Sequence, residues 1–288
     1  MPNTRGFLLM PELPEVETIK RALIPVLQNC QVNSAFVGRE NLRWPLPKDL
    51  AKRLINRYFT HLTRRGKYLL MFMDSDDVLL LHLGMSGSVR IHQQKPDLGK
   101  HDHFMLEMLA ARGDGKISYV VLTDPRRFGW IDLFAESTID SHKLLANMGP
   151  EPLGNEFSAK HLQVALNGRS GPVKNALLNQ ALIAGIGNIY ASEALFLAGI
   201  SPRRKAKNIT GRRAERLTAA IVKTLRAAIE DGGTSLRDHV QPSGEIGYFV
   251  QRLAVYGRAG KPCSKCSASI KIIIQSGRST FYCSRCQR

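Results

Sequence analysis

The sequence predicts an α+β protein of several domains: an N-terminal helix with an antiparallel β-sandwich or barrel, then a helical domain, then a small β-hairpin. Three observations indicate this fold class. Short apolar segments follow one another closely between residues 67 and 135, longer segments with helical periodicity occupy residues 158–230, and two Cys-x-x-Cys pairs stand near the end of the chain. Such closely spaced strands indicate antiparallel pairing, because parallel strands need a crossover of about a dozen residues or more.

The first predicted element is a helix from Glu12 to about Gln28. Its apolar residues recur at spacings of three and four, which is the pattern of an amphipathic helix. Pro14 suits the first turn, where its missing N–H costs no hydrogen bond. Glu15 and Glu17 are interpreted as helix-surface or supporting groups.

Six strands are predicted next, from short apolar runs bounded by turn residues. They are Lys67–Met73, Val78–Leu83, Ser88–His92, His103–Ala110, Ile117–Thr123 and Trp130–Ala135. Helices are then predicted at residues 158–167, about 172–183, about 188–198 and 211–230, because apolar residues recur there at helical spacing.

These patterns suggest five parts. Residues 1–9 are an N-terminal extension, residues 10–146 carry the first helix and the sandwich, and residues 147–157 are a linker rich in Pro and Gly. Residues 158–250 form a helical domain, whose last part, from residue 234, has a loop-like composition. Residues 251–288 are too few to bury a core of their own and therefore need a further stabilising element, such as a structural metal ion or disulfides.

Charge is the strongest compositional signal. The chain has 41 Lys and Arg against 24 Asp and Glu, a net charge of +17. Residues 202–226 hold nine basic groups and one acid, and residues 252–288 hold eight and no acid. This imbalance favours a nucleic-acid partner, because binding to phosphates rewards clustered cations. A solvated surface or an anionic membrane patch would each explain part of it.

No apolar run approaches the roughly 20 residues that span a bilayer. The run Phe7–Met10 is too short for a secretion signal, and no small-residue cleavage site follows it. The expected location is therefore the cytoplasm, and no membrane partner is expected.

Four of the five cysteines form a pattern, with two Cys-x-x-Cys pairs sixteen residues apart: Cys263, Cys266, Cys283 and Cys286. This spacing is typical of a four-thiolate site for one structural Zn²⁺ ion. Two disulfides are the alternative, but thiols stay reduced in the cytoplasm. The segments on either side of the Ser276-Gly277 turn are then a zinc-stapled hairpin. Cys30 is interpreted as a packing residue.

Several motifs occur in a fixed order along the chain. They are Pro11-Glu12-Leu13-Pro14-Glu15-Val16-Glu17-Thr18, Arg65-Gly66-Lys67-Tyr68-Leu69, His82-Leu83-Gly84-Met85-Ser86-Gly87, His101-Asp102-His103, Thr123-Asp124-Pro125-Arg126-Arg127-Phe128-Gly129, and Gly187-Asn188-Ile189-Tyr190-Ala191-Ser192-Glu193. With the four cysteines, they make the chain from Met10 onward resemble the bacterial formamidopyrimidine-DNA glycosylase family.

The resemblance implies a β-sandwich, a helix–two-turns–helix domain and a zinc-finger hairpin. It also implies a bifunctional enzyme of base excision repair, acting as a monomer on duplex DNA that contains an oxidised base. Such an enzyme is a glycosylase for 8-oxoguanine and formamidopyrimidines and an abasic-site lyase with β,δ-elimination. Zinc would be structural, and no redox or nucleotide cofactor is implied.

The resemblance assigns four catalytic residues. Pro11 would be the nucleophile through its backbone nitrogen, once that nitrogen is the N-terminus. Glu12 would act as general acid and base. Lys67 would donate a proton in β-elimination, and Arg278 would position a phosphate during δ-elimination, since an arginine rarely gives up its proton.

Residues 1–9 bear directly on this assignment. Within a peptide bond the Pro11 nitrogen is an amide whose lone pair is delocalised, so it cannot attack a sugar. Met10-Pro11 is therefore the expected start of the working protein, and translation from Met1 without trimming would leave Pro11 inactive.

The resemblance also places residues against DNA. Backbone contacts are expected from His101, Arg127, Arg169, Lys174 and Asn188. Met85, Arg126 and Phe128 would fill the gap left by a flipped base, since an emptied stack needs an apolar or planar replacement. Residues 234–249 are candidates for a loop that caps the base.

Two alternatives remain open. The sister endonuclease VIII family prefers oxidised pyrimidines and typically has Gly where Leu13 stands here. A damage-binding protein without catalysis would result if residues 1–9 were retained.

Overall fold

The computed structural model describes residues 10–110, 115–234 and 248–288. The chain divides into two compact units. Among the described residues, the first unit contains residues 10–146, 232–234 and Tyr248, and the second contains residues 147–231 and 249–288. The five-part division drawn from the sequence stays a prediction.

Among its described residues, the first unit begins with helix α1 (Leu13–Leu27) and contains eight strands. The strands are β1 (Gln31–Val37), β2 (Phe59–Arg65), β3 (Tyr68–Met73), β4 (Asp77–His82), β5 (Ser88–His92), β6 (Asp102–Leu109), β7 (Ile117–Thr123) and β8 (Trp130–Ala135). A short helix α2 (Leu50–Leu54) separates β1 from β2, and a 3₁₀ turn (Glu136–Ser141) follows β8.

The strands form two four-stranded antiparallel sheets, in the orders β1-β6-β7-β5 and β2-β3-β4-β8. One apolar core contains residues of both sheets and of α1, including Leu23, Leu69, Leu79, Leu106 and Leu122. The predicted sandwich is therefore confirmed, with α1 packed into the core that the sheets share.

All six predicted strands are present, with shifts of one residue at some ends. Lys67 is an example, because β3 begins at Tyr68 and Lys67 lies with Gly66 in the turn after β2. Two strands, β1 and β2, were not predicted. Only Val32 is buried in β1, and only Phe59 and Leu62 are buried in β2, so neither strand gives a clear apolar alternation.

The second unit contains four helices and a hairpin. The helices are α3 (Ala159–Leu166), α4 (Val173–Leu177), α5 (Asn188–Leu197) and α6 (Arg212–Glu230), and the hairpin pairs β9 (Lys271–Gln275) with β10 (Arg278–Tyr282). Short 3₁₀ turns lie at Ala206–Asn208 and Phe249–Arg252. Helix α5 is buried almost throughout, which places it at the centre of this unit.

The predicted helix at residues 172–183 was too long, because α4 ends at Leu177. Side chains beyond it satisfy the backbone of a turn instead. Asn179 Oδ1 accepts from the Ala181 N–H at 3.0 Å, and Gln180 bonds both the Gly185 N–H and the Ile186 carbonyl. Such local side-chain bonds compete with helix continuation.

Candidate active site and nucleic-acid interface

The start of α1 holds the first two predicted catalytic residues. Pro11 is buried, and Glu12, the N-cap residue, is 2% exposed with an extended backbone. The Glu12 N–H donates to Glu15 Oε2 at 2.9 Å. This bond is half of a capping box between Glu12 and Glu15, which satisfies backbone donors at the start of α1, next to Pro11.

Glu15 is more than a helix-surface group. Its second oxygen, Oε1, accepts from both the N–H and the hydroxyl of Thr234, each at 2.8 Å. A Cβ on Gly233, whose φ is +82°, would lie 3.0 Å from the same oxygen. Glu15 therefore joins the backbone at the start of α1 to the residue that begins the predicted capping loop, of which residues 235–247 lie outside the described residues.

Glu17 behaves as predicted for a supporting group. Its carboxylate pairs with Lys20 at 2.9 Å and with Arg64 at 3.1 Å. The pair with Arg64 joins α1 to the end of β2, whereas the pair with Lys20 lies within α1.

Lys67 is 7% exposed in the turn between β2 and β3. Its positive charge is one of the causes that lower the pKa of His82. Burial, together with the charges of Lys67 and Arg43, lowers the pKa of His82 to about 4. The ring is therefore neutral at pH 7, and its Nδ1 accepts from the Gly84 N–H at 3.2 Å.

The three predicted intercalating residues lie in two loops of the first unit, the β4–β5 loop and the β7–β8 loop. Met85 is partly exposed, and Phe128 is 40% exposed, which is unusual for a large apolar residue. The Arg126 guanidinium lies 4.8 Å from the centre of the Phe128 ring. Arg127, a predicted phosphate contact, is exposed with a φ of +58°.

Two further predicted phosphate contacts are exposed. His101 directly precedes β6, and its ring meets that of the buried His103 edge-on, with 6.4 Å between centroids. Arg169 follows α3 in the second unit, where its Nε donates to the Ala165 carbonyl at 2.8 Å. Both side chains can therefore reach solvent.

Lys174 differs from these because it is fully buried. Its ammonium donates to Asn188 Oδ1, to Thr280 Oγ1 at 2.7 Å and to the Ser279 carbonyl at 3.2 Å. Asn188 also donates to the Ser279 carbonyl, at 3.0 Å. Lys174 and Asn188, two predicted DNA contacts, thus hold strand β10 at Ser279, the residue after Arg278. Arg278 itself is exposed and follows the Ser276-Gly277 turn.

A second anchor of this kind was not predicted. The buried Glu193 of α5 accepts three backbone N–H bonds of 2.8–3.0 Å from Ala254, Val255 and Tyr256. Burial raises the pKa of this carboxyl above its usual value. Glu193 thereby fixes the segment that leads into the hairpin.

The four predicted zinc ligands come together. Their sulfur atoms all lie within 4.8 Å of one another, with Cys263 and Cys286 at 3.9 Å and Cys266 and Cys283 at 3.5 Å. A tetrahedral site with Zn–S bonds of about 2.3 Å requires sulfurs about 3.8 Å apart. The cluster therefore fits one structural zinc ion, which would hold the two Cys-x-x-Cys turns together at the base of the hairpin.

No helix within the described ranges is long and apolar enough to span a bilayer.

Three family models match the chain in order. They are the formamidopyrimidine-DNA glycosylase N-terminal domain at residues 10–131, the formamidopyrimidine-DNA glycosylase H2TH domain at residues 148–240, and the zinc finger found in FPG and IleRS at residues 260–288. The first match begins one residue before Pro11.

Curated relatives agree with these matches. The formamidopyrimidine-DNA glycosylase of Ruegeria pomeroyi is 47% identical over 289 residues, and that of Rhodopseudomonas palustris (strain TIE-1) is 46% identical over 297. Each alignment covers 97% of this chain and 100% of the relative.

Solved structures are similar over almost the whole chain. The MutM (Fpg) protein of Thermus thermophilus has a TM-score of 0.84 and 36% identity, covering 96% of this chain and 98% of the other. Lactococcus lactis Fpg, in a complex with DNA containing an abasic site, has a TM-score of 0.85 and 32% identity, covering 96% and 99%.

Proposed function

Because the chain belongs to the formamidopyrimidine-DNA glycosylase family, we propose that it removes oxidised purines from duplex DNA through a Schiff base on Pro11. Membership makes the protein a DNA glycosylase of base excision repair. The proposal adds the nucleophile, the preference for 8-oxoguanine and formamidopyrimidines, and the lyase step that follows.

One observation carries the proposal. A proline whose nitrogen could serve as a nucleophile stands immediately before a buried glutamate, at the residue after the point where the family match begins. The proposal concerns the form in which Pro11 is the N-terminus. An α-amino group titrates near pH 8, so a useful fraction carries a free lone pair at neutral pH.

The proposed reaction begins at the sugar carbon that carries the base. The Pro11 nitrogen attacks the sugar C1′, the bond from C1′ to the base breaks, and the base leaves with the bonding electrons. Glu12 protonates the sugar ring oxygen, the ring opens, and loss of the proton from nitrogen to the same carboxylate leaves the cationic Schiff base.

Strand cleavage follows from the Schiff base. Loss of the C2′ proton to water breaks the C3′–O bond and expels the 3′ phosphate in β-elimination, for which we assign proton donation to Lys67. A second elimination, with loss of the C4′ proton to water, breaks the C5′–O bond and expels the 5′ phosphate, and Arg278 positions that group as a fixed cation.

The remaining predicted DNA contacts support duplex binding. His101, Arg127 and Arg169 are exposed and can contact phosphates, which fixes the register of a protein on DNA. Lys174 and Asn188 stay predicted backbone contacts, and their bonds to β10 also support a role in aiming Arg278. We place the protein in the bacterial cytoplasm as a monomer, because one copy suffices at one lesion.

The zinc site gives a testable consequence for binding. A structural zinc ion contributes on the order of 10 kcal/mol to the folding of so small a unit. Cys283→Ser should therefore lose zinc, disorder the hairpin and weaken DNA binding, while the thermal unfolding of the first unit stays in place. Zinc content, circular dichroism melting and a fluorescence binding titration measure these effects.

Cys30→Ser is the matched control, because it removes a buried thiol from the first unit. It should keep both zinc and DNA affinity. Full affinity in a zinc-free Cys283→Ser protein would contradict the role of the hairpin in DNA binding.

Substrate preference tests the proposed function itself. The form that begins at Pro11 should excise 8-oxoguanine from duplex DNA faster than an oxidised pyrimidine such as thymine glycol in the same sequence. Single-turnover rates on the two duplexes measure the preference. The reverse order would contradict the purine assignment and favour the endonuclease VIII-like alternative, and binding without excision of either base would favour a damage-binding protein.

A further inference from the structure

Two loops of the first unit touch each other through their backbones. We call them the wedge loops: residues 83–87 between β4 and β5, which contain Met85, and residues 124–129 between β7 and β8, which contain Arg126 and Phe128. A Cβ on Gly84 would lie 2.3 Å from the Phe128 carbonyl carbon and oxygen. The loops therefore pack too closely for any side chain at Gly84.

One buried carboxylate joins these loops. Asp124 is 0% exposed, its Oδ1 accepts from the Ser86 hydroxyl at 2.6 Å, and its Oδ2 accepts from the Gly129 N–H at 2.7 Å. The first bond crosses from one loop to the other. The second closes the β7–β8 loop, where a Cβ on Gly129 would lie 2.9 Å from the same Oδ2.

Ser86 extends the connection. It is 6% exposed, and its Oγ accepts from the Arg126 N–H at 3.1 Å while its hydroxyl donates to Asp124. A single hydroxyl thus fixes the backbone of one predicted intercalating residue from the loop that carries another.

The backbone of Asp124 is held as well. Its N–H donates to the His101 carbonyl at 2.9 Å, and its carbonyl accepts from His103 Nε2 at 3.0 Å and from the Arg127 N–H at 3.2 Å. Burial lowers the pKa of His103 below its usual value, so its ring is neutral and Nε2 carries the donated hydrogen. The bond to Arg127 stabilises a residue whose φ of +58° is otherwise unfavourable.

A fully buried carboxylate is costly to desolvate. Here each oxygen takes a neutral donor, from a hydroxyl or a backbone N–H. An apolar side chain in place of Asp124 would cost less to desolvate, but it could bond neither the Ser86 hydroxyl nor the Gly129 N–H. The carboxylate is therefore suited to fixing the position of one loop relative to the other, rather than to stabilising the fold in general.

We propose that Asp124 is a positioning residue that locks the two wedge loops together, so that Met85, Arg126 and Phe128 enter the duplex as one preformed unit. This inference rests on the proposed function, because it assumes that Met85, Arg126 and Phe128 replace a flipped base in the duplex. Groups already ordered before binding lose less entropy in the complex. Loosening the loops should therefore slow base eversion more than it slows the later chemistry.

The test compares two substrates with the form that begins at Pro11. One duplex contains 8-oxoguanine, whose base must be unstacked, and the other contains a preformed abasic site, which has no base to unstack. Asp124→Ala should slow single-turnover excision by about 100-fold, the loss that about 1 Å of misplacement can cause. It should slow cleavage of the abasic duplex far less, and a 2-aminopurine opposite the lesion should show delayed helix opening.

Asp124→Asn should recover most of the excision rate. Its Oδ1 can accept from the Gly129 N–H while its amide donates to Ser86 Oγ, because a hydroxyl oxygen has two lone pairs. Asp132→Asn is the matched control, since Asp132 lies on β8 away from the wedge loops and bonds His142. It should leave both rates unchanged.

Ser86→Ala keeps the test decisive if Asp124→Ala fails to fold. It removes both bonds that the Ser86 hydroxyl makes to the other loop, to Asp124 and to the Arg126 N–H, and leaves Asp124 itself in place, so excision should fall while abasic cleavage persists. Equal losses on the two substrates, or no loss on either, would overturn the inference. An inactive parent protein would instead refute the proposed function, so the two failures can be told apart.

Discussion

A form of the chain that begins at Pro11 should be trapped covalently on an 8-oxoguanine duplex by borohydride, and a form that retains residues 1–10 should not be trapped. The physical reason is the state of one nitrogen. A free secondary amine has a lone pair that can attack C1′, whereas the same nitrogen in a peptide bond is an amide. Losing a covalent nucleophile costs on the order of 10⁴-fold or more in rate.

The measurement is a gel shift of the trapped complex with both forms at equal concentration. Pro11→Gly in the shorter form is the informative variant, because it leaves a primary amine at the same place. It should keep partial trapping. Equal trapping by the longer form would show that another group is the nucleophile.

Glu12→Gln should slow excision of 8-oxoguanine by about 100- to 10,000-fold, the range that general acid–base catalysis contributes. The amide has nearly the same shape but cannot donate a carboxylic proton to the sugar. DNA binding should persist, since the Glu12 N–H still donates to Glu15. Single-turnover kinetics and a binding titration separate the two effects.

Glu17→Gln is the control on the same helix. The Glu17 carboxylate pairs with Lys20 and Arg64 rather than belonging to the proposed chemistry. Excision by this variant should stay close to that of the parent protein. An active Glu12→Gln enzyme would remove the acid–base assignment while leaving the Pro11 assignment intact.

The sequence was informative where a local pattern carries the signal. The apolar runs of β3 and β4 predicted two strands, which the structure places at the centre of their sheet, and the cysteine spacing predicted a four-thiolate cluster, whose sulfurs lie within 4.8 Å of one another. Strands β1 and β2 gave no such signal, because only one of the seven residues of β1 and two of the seven residues of β2 are buried.

Contacts between distant residues were beyond local pattern reading. Glu15 reaches Thr234 across 219 positions, and Ser86 reaches Asp124 across 38. Both acids occur in the motifs that carried the family resemblance. Their partners depend on how the chain folds back, so a motif can mark such a residue without showing what it binds.

Mass spectrometric mapping of the trapped protein tests most directly whether the Pro11 backbone nitrogen is the nucleophile. Digestion of the reduced complex should place the sugar remnant on the N-terminal peptide that begins with Pro11, at its backbone nitrogen. The contrary result would be a chain that retains residues 1–10, excises 8-oxoguanine at the full rate and carries its adduct elsewhere or not at all.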